Sequence, residues 1–135
     1  MTFRKIDTCI WRKPWFELLN RDEKLAFIYL WTNDYCNQAG IYEISTKRIQ
    51  FDLGYGIDTV SVALKNRVEW YPDKSIVWVK NFFKHQCQNA KFAISAINCI
   101  KGDPFKYDIF IDHNINILKK YKNDLNGHLP DTIWG

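Results

Sequence analysis

The side chains best placed to do chemistry lie between Ser45 and Lys80. Lys47 and Arg48 open one helical stretch, and Thr59, Ser61, Lys65 and Asn66 fall on the outer side of a second. Hydroxyls reach phosphates or base edges, Asn suits adenine, and Lys suits phosphate or guanine. Lys74 and Lys80 flank a β-prone run just beyond. In a helix-turn-helix the first helix crosses the phosphate backbone while the second enters the major groove. That arrangement assigns Lys47 and Arg48 to the backbone, and Thr59, Ser61, Lys65 and Asn66 to the groove. Asp58 and Glu69 oppose a phosphate field, and any surface helix carries a polar outer face. The residues alone leave DNA contact and a plain solvated face equally open.

Other chemistries find less support. Gly54-Tyr55-Gly56 lacks the spacing and the following Lys-Ser/Thr of a phosphate-cradling loop, so it reads as a structural turn. His85, His113 and His128 have no neighbours that make a triad or a metal motif. His85-Gln86-Cys87 is one close ligand pair without the second that a zinc site needs. Asp108 and Asp112 are spaced to share a helix face, which describes a solvated acidic pair better than an acid/base site. No catalytic residue, metal site or cofactor is expected, and the chain does not read as an enzyme.

The elements that position these residues follow from periodicity. The 135 residues suffice for one domain with a real core, and 47% are hydrophobic. Lys and Arg outnumber Asp and Glu by 19 to 15, with the excess shared evenly between the first 80 residues and the rest. Affinity for nucleic acid would therefore come from local patches rather than from bulk charge. No stretch is long and apolar enough to span a bilayer, and no cleavable signal follows the basic N-terminus. Cys9, Cys36, Cys87 and Cys99 show neither metal nor redox spacing and read as reduced thiols. A cytoplasmic protein without membrane association is expected.

Pro14 suits the start of a short helix. Asn20 and Glu23 form a capping box for a central helix through Trp31. Gly40 to Ile44 alternates as a short strand. Ser45 caps a helix over 46–53, and Gly54 and Gly56 turn the chain. A second helix is expected from Gly56 or Asp58, with Val60, Ala63, Leu64 and Val68 inward. A turn at Tyr71–Lys74 leads to a strand over 75–80. Beyond it come short and longer helices over 81–85 and 89–100, then a last one over 112–121, although 107–111 also reads as strand. The expected fold is α+β, mainly α: a winged helix-turn-helix with extra C-terminal helices. Residues 1–105 form the winged-helix part with its aromatic leader, and 106–135 a helical extension of the same domain.

Several stretches together carry a family resemblance: Phe3-Arg4-Lys5-Ile6-Asp7, Lys24 to Asn33, Gly40 to Ile44, and Val77 to Gln86. In this order they resemble the N-terminal domain of phage replication-initiation proteins, the replisome organisers related to DnaD-like primosome components. The resemblance covers roughly residues 1–105. It implies a winged helix, double-stranded DNA as partner, homo-oligomers, and contact with host replication proteins in the host cytoplasm. It places Thr59, Ser61, Lys65, Asn66 and Lys74 at the DNA, and gives Asn81, Lys84, His85 and Gln86 a partly structural role near the next helix. Such proteins continue into a second helical domain, whereas this sequence ends soon after the first. That leaves an alternative: the same scaffold serving as an inhibitor of a host nuclease or replication factor, through an exposed patch at Trp11, Trp15 or Tyr55, or as a transcription regulator.

Overall fold

The computed structural model describes residues 2–135. A leader runs through a 3-10 turn at Thr8–Arg12 into the short helix α1 (Pro14–Glu17), with Pro14 at its first position. Helix α2 (Arg21–Thr32) starts at the expected capping box: Glu23 N–H donates to Asn20 Oδ1 at 2.8 Å, and Asn20 N–H donates to Glu23 Oε1 at 2.9 Å. Strand β1 (Ile41–Glu43), helix α3 (Thr46–Leu53) and a 3-10 turn at Ile57–Thr59 precede the hairpin of β2 (Val68–Tyr71) and β3 (Ile76–Val79). Helices α4 (Phe82–Gln86), α5 (Ala90–Ile100) and α6 (Pro104–Leu118) follow, then two more 3-10 turns. The molecule is mainly helical with a three-stranded antiparallel sheet in the order β1-β3-β2. Among the described residues no helix is long and apolar enough to cross a membrane.

The sheet divides the interior. Alternate side chains of a strand point to opposite faces. Tyr42, Val77 and Val79 accordingly enter a first core with Phe16, Ala26, Phe27, Leu30, Ile49 and Leu64. Ile41 and Ile76 enter a second with Ala93, Ile97, Ile100, Phe110 and Leu118. Helix α4 straddles the divide, sending Phe82 into the first core and Phe83 into the second. Each fully buried Phe contributes about 2–3 kcal/mol of apolar transfer before entropy is subtracted. Helix α6 runs unbroken across residue 105, and Leu125 and Leu129 of the tail are buried in the second core. The stretch 107–111 is helical because Asp103 caps α6, accepting from Phe105 N–H at 3.0 Å, and Pro104 takes the first position, where no N–H is needed.

Two polar devices tie the elements together. The buried Tyr42 hydroxyl donates to Leu30 O at 2.6 Å and accepts from Asn33 Nδ2 at 2.8 Å, joining β1 to the end of α2. Burial holds its proton far above the usual phenolic range. The second device is Gln86. Its Oε1 accepts from Lys5 N–H at 3.0 Å and its Nε2 donates to Lys5 O at 2.6 Å. Trp31 Nε1 donates to the same carbonyl at 2.8 Å. Gln86 thus satisfies the leader's backbone rather than that of the next helix, which Asn89 caps for itself. Arg4 adds a bond to Cys36 O at 2.7 Å and lies over the Phe82 ring. The four cysteines are unpaired thiols, and burial pushes that of Cys36 up to about 12.

Gly40 ends the loop before β1 with a φ of +73°. A Cβ there would meet Phe82 Cβ at 2.6 Å, within backbone reach of the first core. Gly40→Ala should cost about 2–4 kcal/mol from overpacking and backbone strain, read as a shift in the urea midpoint. Gln86→Ala leaves a backbone N–H and C=O short of a partner and should cost about 1–3 kcal/mol. Gln86→Glu keeps the acceptor but removes the donor, and should be no better than alanine in the same assay.

Candidate nucleic-acid interface and a cationic cleft

Helix α3 is built as expected. Ser45 Oγ accepts from Arg48 N–H at 3.1 Å, Ile49 is buried, and Gly54 ends the helix in the left-handed region with φ +86°. The second helix differs. After Ile57–Thr59 the chain continues to Arg67 as linked turns, with Ser61 N–H bonded to Ile57 O and Lys65 N–H to Val62 O. Ile57, Val60 and Leu64 are buried at helical spacing, while Ala63 is exposed. The spacing therefore placed Val60, Leu64 and Val68 inward correctly but not Ala63, in a segment that is not an α-helix. Ile57, Thr59, Val60 and Val62 are β-branched and resist regular helix, and Val68 is drawn into β2 opposite Val79. Strand β2 was not anticipated, although Val68, Trp70 and Tyr71 are good strand formers. Glu69 consequently lies in the sheet, not on a helix.

The expected contact residues separate into two groups. Lys47, Thr59, Lys65 and Asn66 are exposed, and Ser61 is half-buried. Lys47 and Lys65 enter no ion pair among the described residues. Arg48 is partly neutralised by Asp52 at 3.7 Å and stacks over the Phe51 ring at 4.8 Å. Asp52 also accepts from the Tyr29 hydroxyl at 2.6 Å, and burial with that bond pushes the Tyr29 proton up, so the phenol remains a neutral donor. Lys74 and Lys80 sit apart, at opposite ends of the β2–β3 hairpin. Lys74 Nζ lies 4.7 Å from the Phe105 ring of α6. Lys80 lies over Trp78 and 3.8 Å from Glu69. Both side chains are turned to residues that pack with the second core, whereas the 57–64 segment packs on the first.

Apolar exposure also differs from expectation. Trp15 is half-buried beneath the Arg67 guanidinium at 4.4 Å, and the Tyr55 hydroxyl is tied to Asp22 O. Trp11 is about half exposed, but the most open apolar residues near the interface are Phe51 (77%) and Val62 (82%). Both fall off the inner faces set by Ile49 and by Val60 and Leu64.

A cleft of about 310 Å³ opens between the leader, α2 and the start of α4. Ile10, Phe27, Ile28 and Val79 form its apolar lining, and Lys13, Arg67 and Lys84 its cationic edge, with the His85 ring beside them. Asp7 is the carboxylate there, and its Oδ1 already accepts from Cys9 N–H at 2.9 Å. That bond lowers its proton affinity. Partial burial, then the neighbouring Lys84, lowers that of His85. Lys13 and Arg67 are 54 residues apart in sequence, and nothing in local spacing predicts their meeting. Asp108 and Asp112 are both exposed on α6.

Comparison with protein families, curated proteins and solved structures finds nothing that matches this chain.

His113, exposed overall but edge to face with Trp78 at 5.0 Å, is shifted in the same direction as His85, chiefly by partial desolvation. Both folded rings resist protonation, so the unfolded chain takes up protons first as pH falls. Stability should be greatest above the ordinary imidazole range and decline as pH passes down toward the lowered folded values. The urea midpoint should drop between about pH 7 and about pH 5. A His85→Gln/His113→Gln chain should give a flatter profile; an unchanged slope would refute the assignment.

Proposed function

We propose that this chain binds duplex DNA through a winged helix-turn-helix, in the manner of the replication-initiation domains its sequence resembles. The order helix, strand, helix, turn segment, hairpin supports that reading, as does the pairing of β1 with β3. The observation that carries it is the exposed set Lys47, Thr59, Lys65 and Asn66 on α3 and the segment after it, with both lysines free of carboxylate partners among the described residues. Lys47 and Lys65 would meet phosphates, and Thr59 and Asn66 have the groups to contact phosphate or base edges. Lys74 and Lys80 are engaged with Phe105, Trp78 and Glu69 and would add less.

A second reading, a protein-binding module on the same scaffold, is favoured by the exposed Phe51 and Val62 in those two segments. Fluorescence anisotropy with a labelled random duplex at two salt concentrations separates the two. DNA binding predicts affinity that falls steeply with salt, and Lys47→Ala and Lys65→Ala should each reduce the salt slope by about one. Flat anisotropy at low salt would overturn the DNA reading and favour the protein partner.

A further inference from the structure

We propose that the cleft between the leader and α2 is a binding site for a small apolar anion: a bulky hydrocarbon or aromatic body bearing a carboxylate or phosphate head. This proposal does not rest on DNA binding, because its residues are other than those of the interface.

The lining sets the body of the ligand. Ile10, Phe27, Ile28 and Val79 offer no hydrogen bonds, so water held there has few partners and is readily displaced by apolar groups. The volume of about 310 Å³ corresponds to roughly ten waters of liquid and falls at the small end of ligand pockets. A nucleobase fits this lining poorly, because its polar edge would face hydrocarbon and lose its hydrogen bonds to water.

The edge sets the head. Lys13, Arg67 and Lys84 line the cleft together with one carboxylate, Asp7, and none of the three enters an ion pair among the described residues. Arg67 lies with its guanidinium over Trp15, an arrangement that supports its plane while its N–H groups remain able to grip two oxygens of an anion. A neutral hydrocarbon would fill the lining and leave these cations unused. The wall is held in place: Lys5, next to Ile6 and Asp7, is bonded on both its N–H and C=O by Gln86.

The test is a titration of the full chain with anilinonaphthalene sulfonate, an apolar anion whose fluorescence rises on binding, beside its uncharged relative N-phenylnaphthylamine. Trp15 and Trp31 line the cleft and give a second readout by quenching. Saturable binding of the sulfonate, much weaker binding of the neutral probe, and displacement by dodecanoate but not by dodecanol are expected. Arg67→Gln and Lys84→Gln should each weaken the sulfonate by about three- to tenfold. Lys101→Gln, exposed at the end of α5, should leave it unchanged. If Arg67→Gln loses its fold by circular dichroism, Lys13→Gln takes its place, since Lys13 is exposed. Equal affinity for charged and neutral probes, or unchanged binding in the edge variants, overturns the proposal. So does displacement by an acidic aromatic tripeptide but not by dodecanoate, which would make the occupant a peptide.

Discussion

The pairing of one side-chain amide with one backbone residue holds much of this molecule in place. Gln86 presents a donor and an acceptor to Lys5, 81 residues earlier, as a neighbouring strand would. The group is buried, so the two bonds work in a setting where unmet polar atoms are expensive. Without it the leader has a single bond from Trp31 to the Lys5 carbonyl and one from Arg4. With it, Ile6 and Ile10 are laid along α2, and the space left between them and α4 becomes the cleft.

The sheet imposes the second constraint. Three short strands cannot bury both of their faces alone, and here each face has its own helical cover. The helices α2 and α3 take one side, and α5 and α6 the other. This division explains why the cations of the sequence do not converge on one surface. Lys47 and Lys65 stay with the first layer, while the hairpin lysines fold back over aromatic rings packed with the second. A face carrying two open lysines, an Arg shared with Asp52, and polar groups from Thr59 and Asn66 suits a modest, salt-dependent contact rather than a strong basic field. The cleft has the opposite character. Its cations border hydrocarbon, with Arg67 half-buried over Trp15 and Lys13 and Lys84 exposed at the rim.

Much of the fold was legible because the signals are local. Asn20 and Glu23, Ser45 and Asn89 mark helix starts by chemistry that acts over three residues. The inward place of Ile49 on α3 follows from periodicity, whereas α2 is apolar on several sides and its exposed Leu25 was not foreseen. The segment 57–68 failed for a reason that is also local but competitive. Its apolar spacing is helical, its β-branched residues are not, and the pairing of Val68 with Val79 settled the contest. The start of α6 was missed because a run such as Tyr107 to Ile111, rich in aromatic and β-branched residues, suits either state.

By itself the sequence determined where most helices begin, which residues are apolar enough to form a core, and which polar groups stand ready on α3 and after it. These depend on contacts between residues a few places apart. Only the tertiary structure decided that Gln86 grips Lys5, that Lys74 and Lys80 lie over Phe105 and Trp78, and that Lys13, Arg67 and Lys84 border one cleft. Those meetings join residues tens of positions apart, and their geometry is set by how the layers pack on the sheet, which no local pattern encodes.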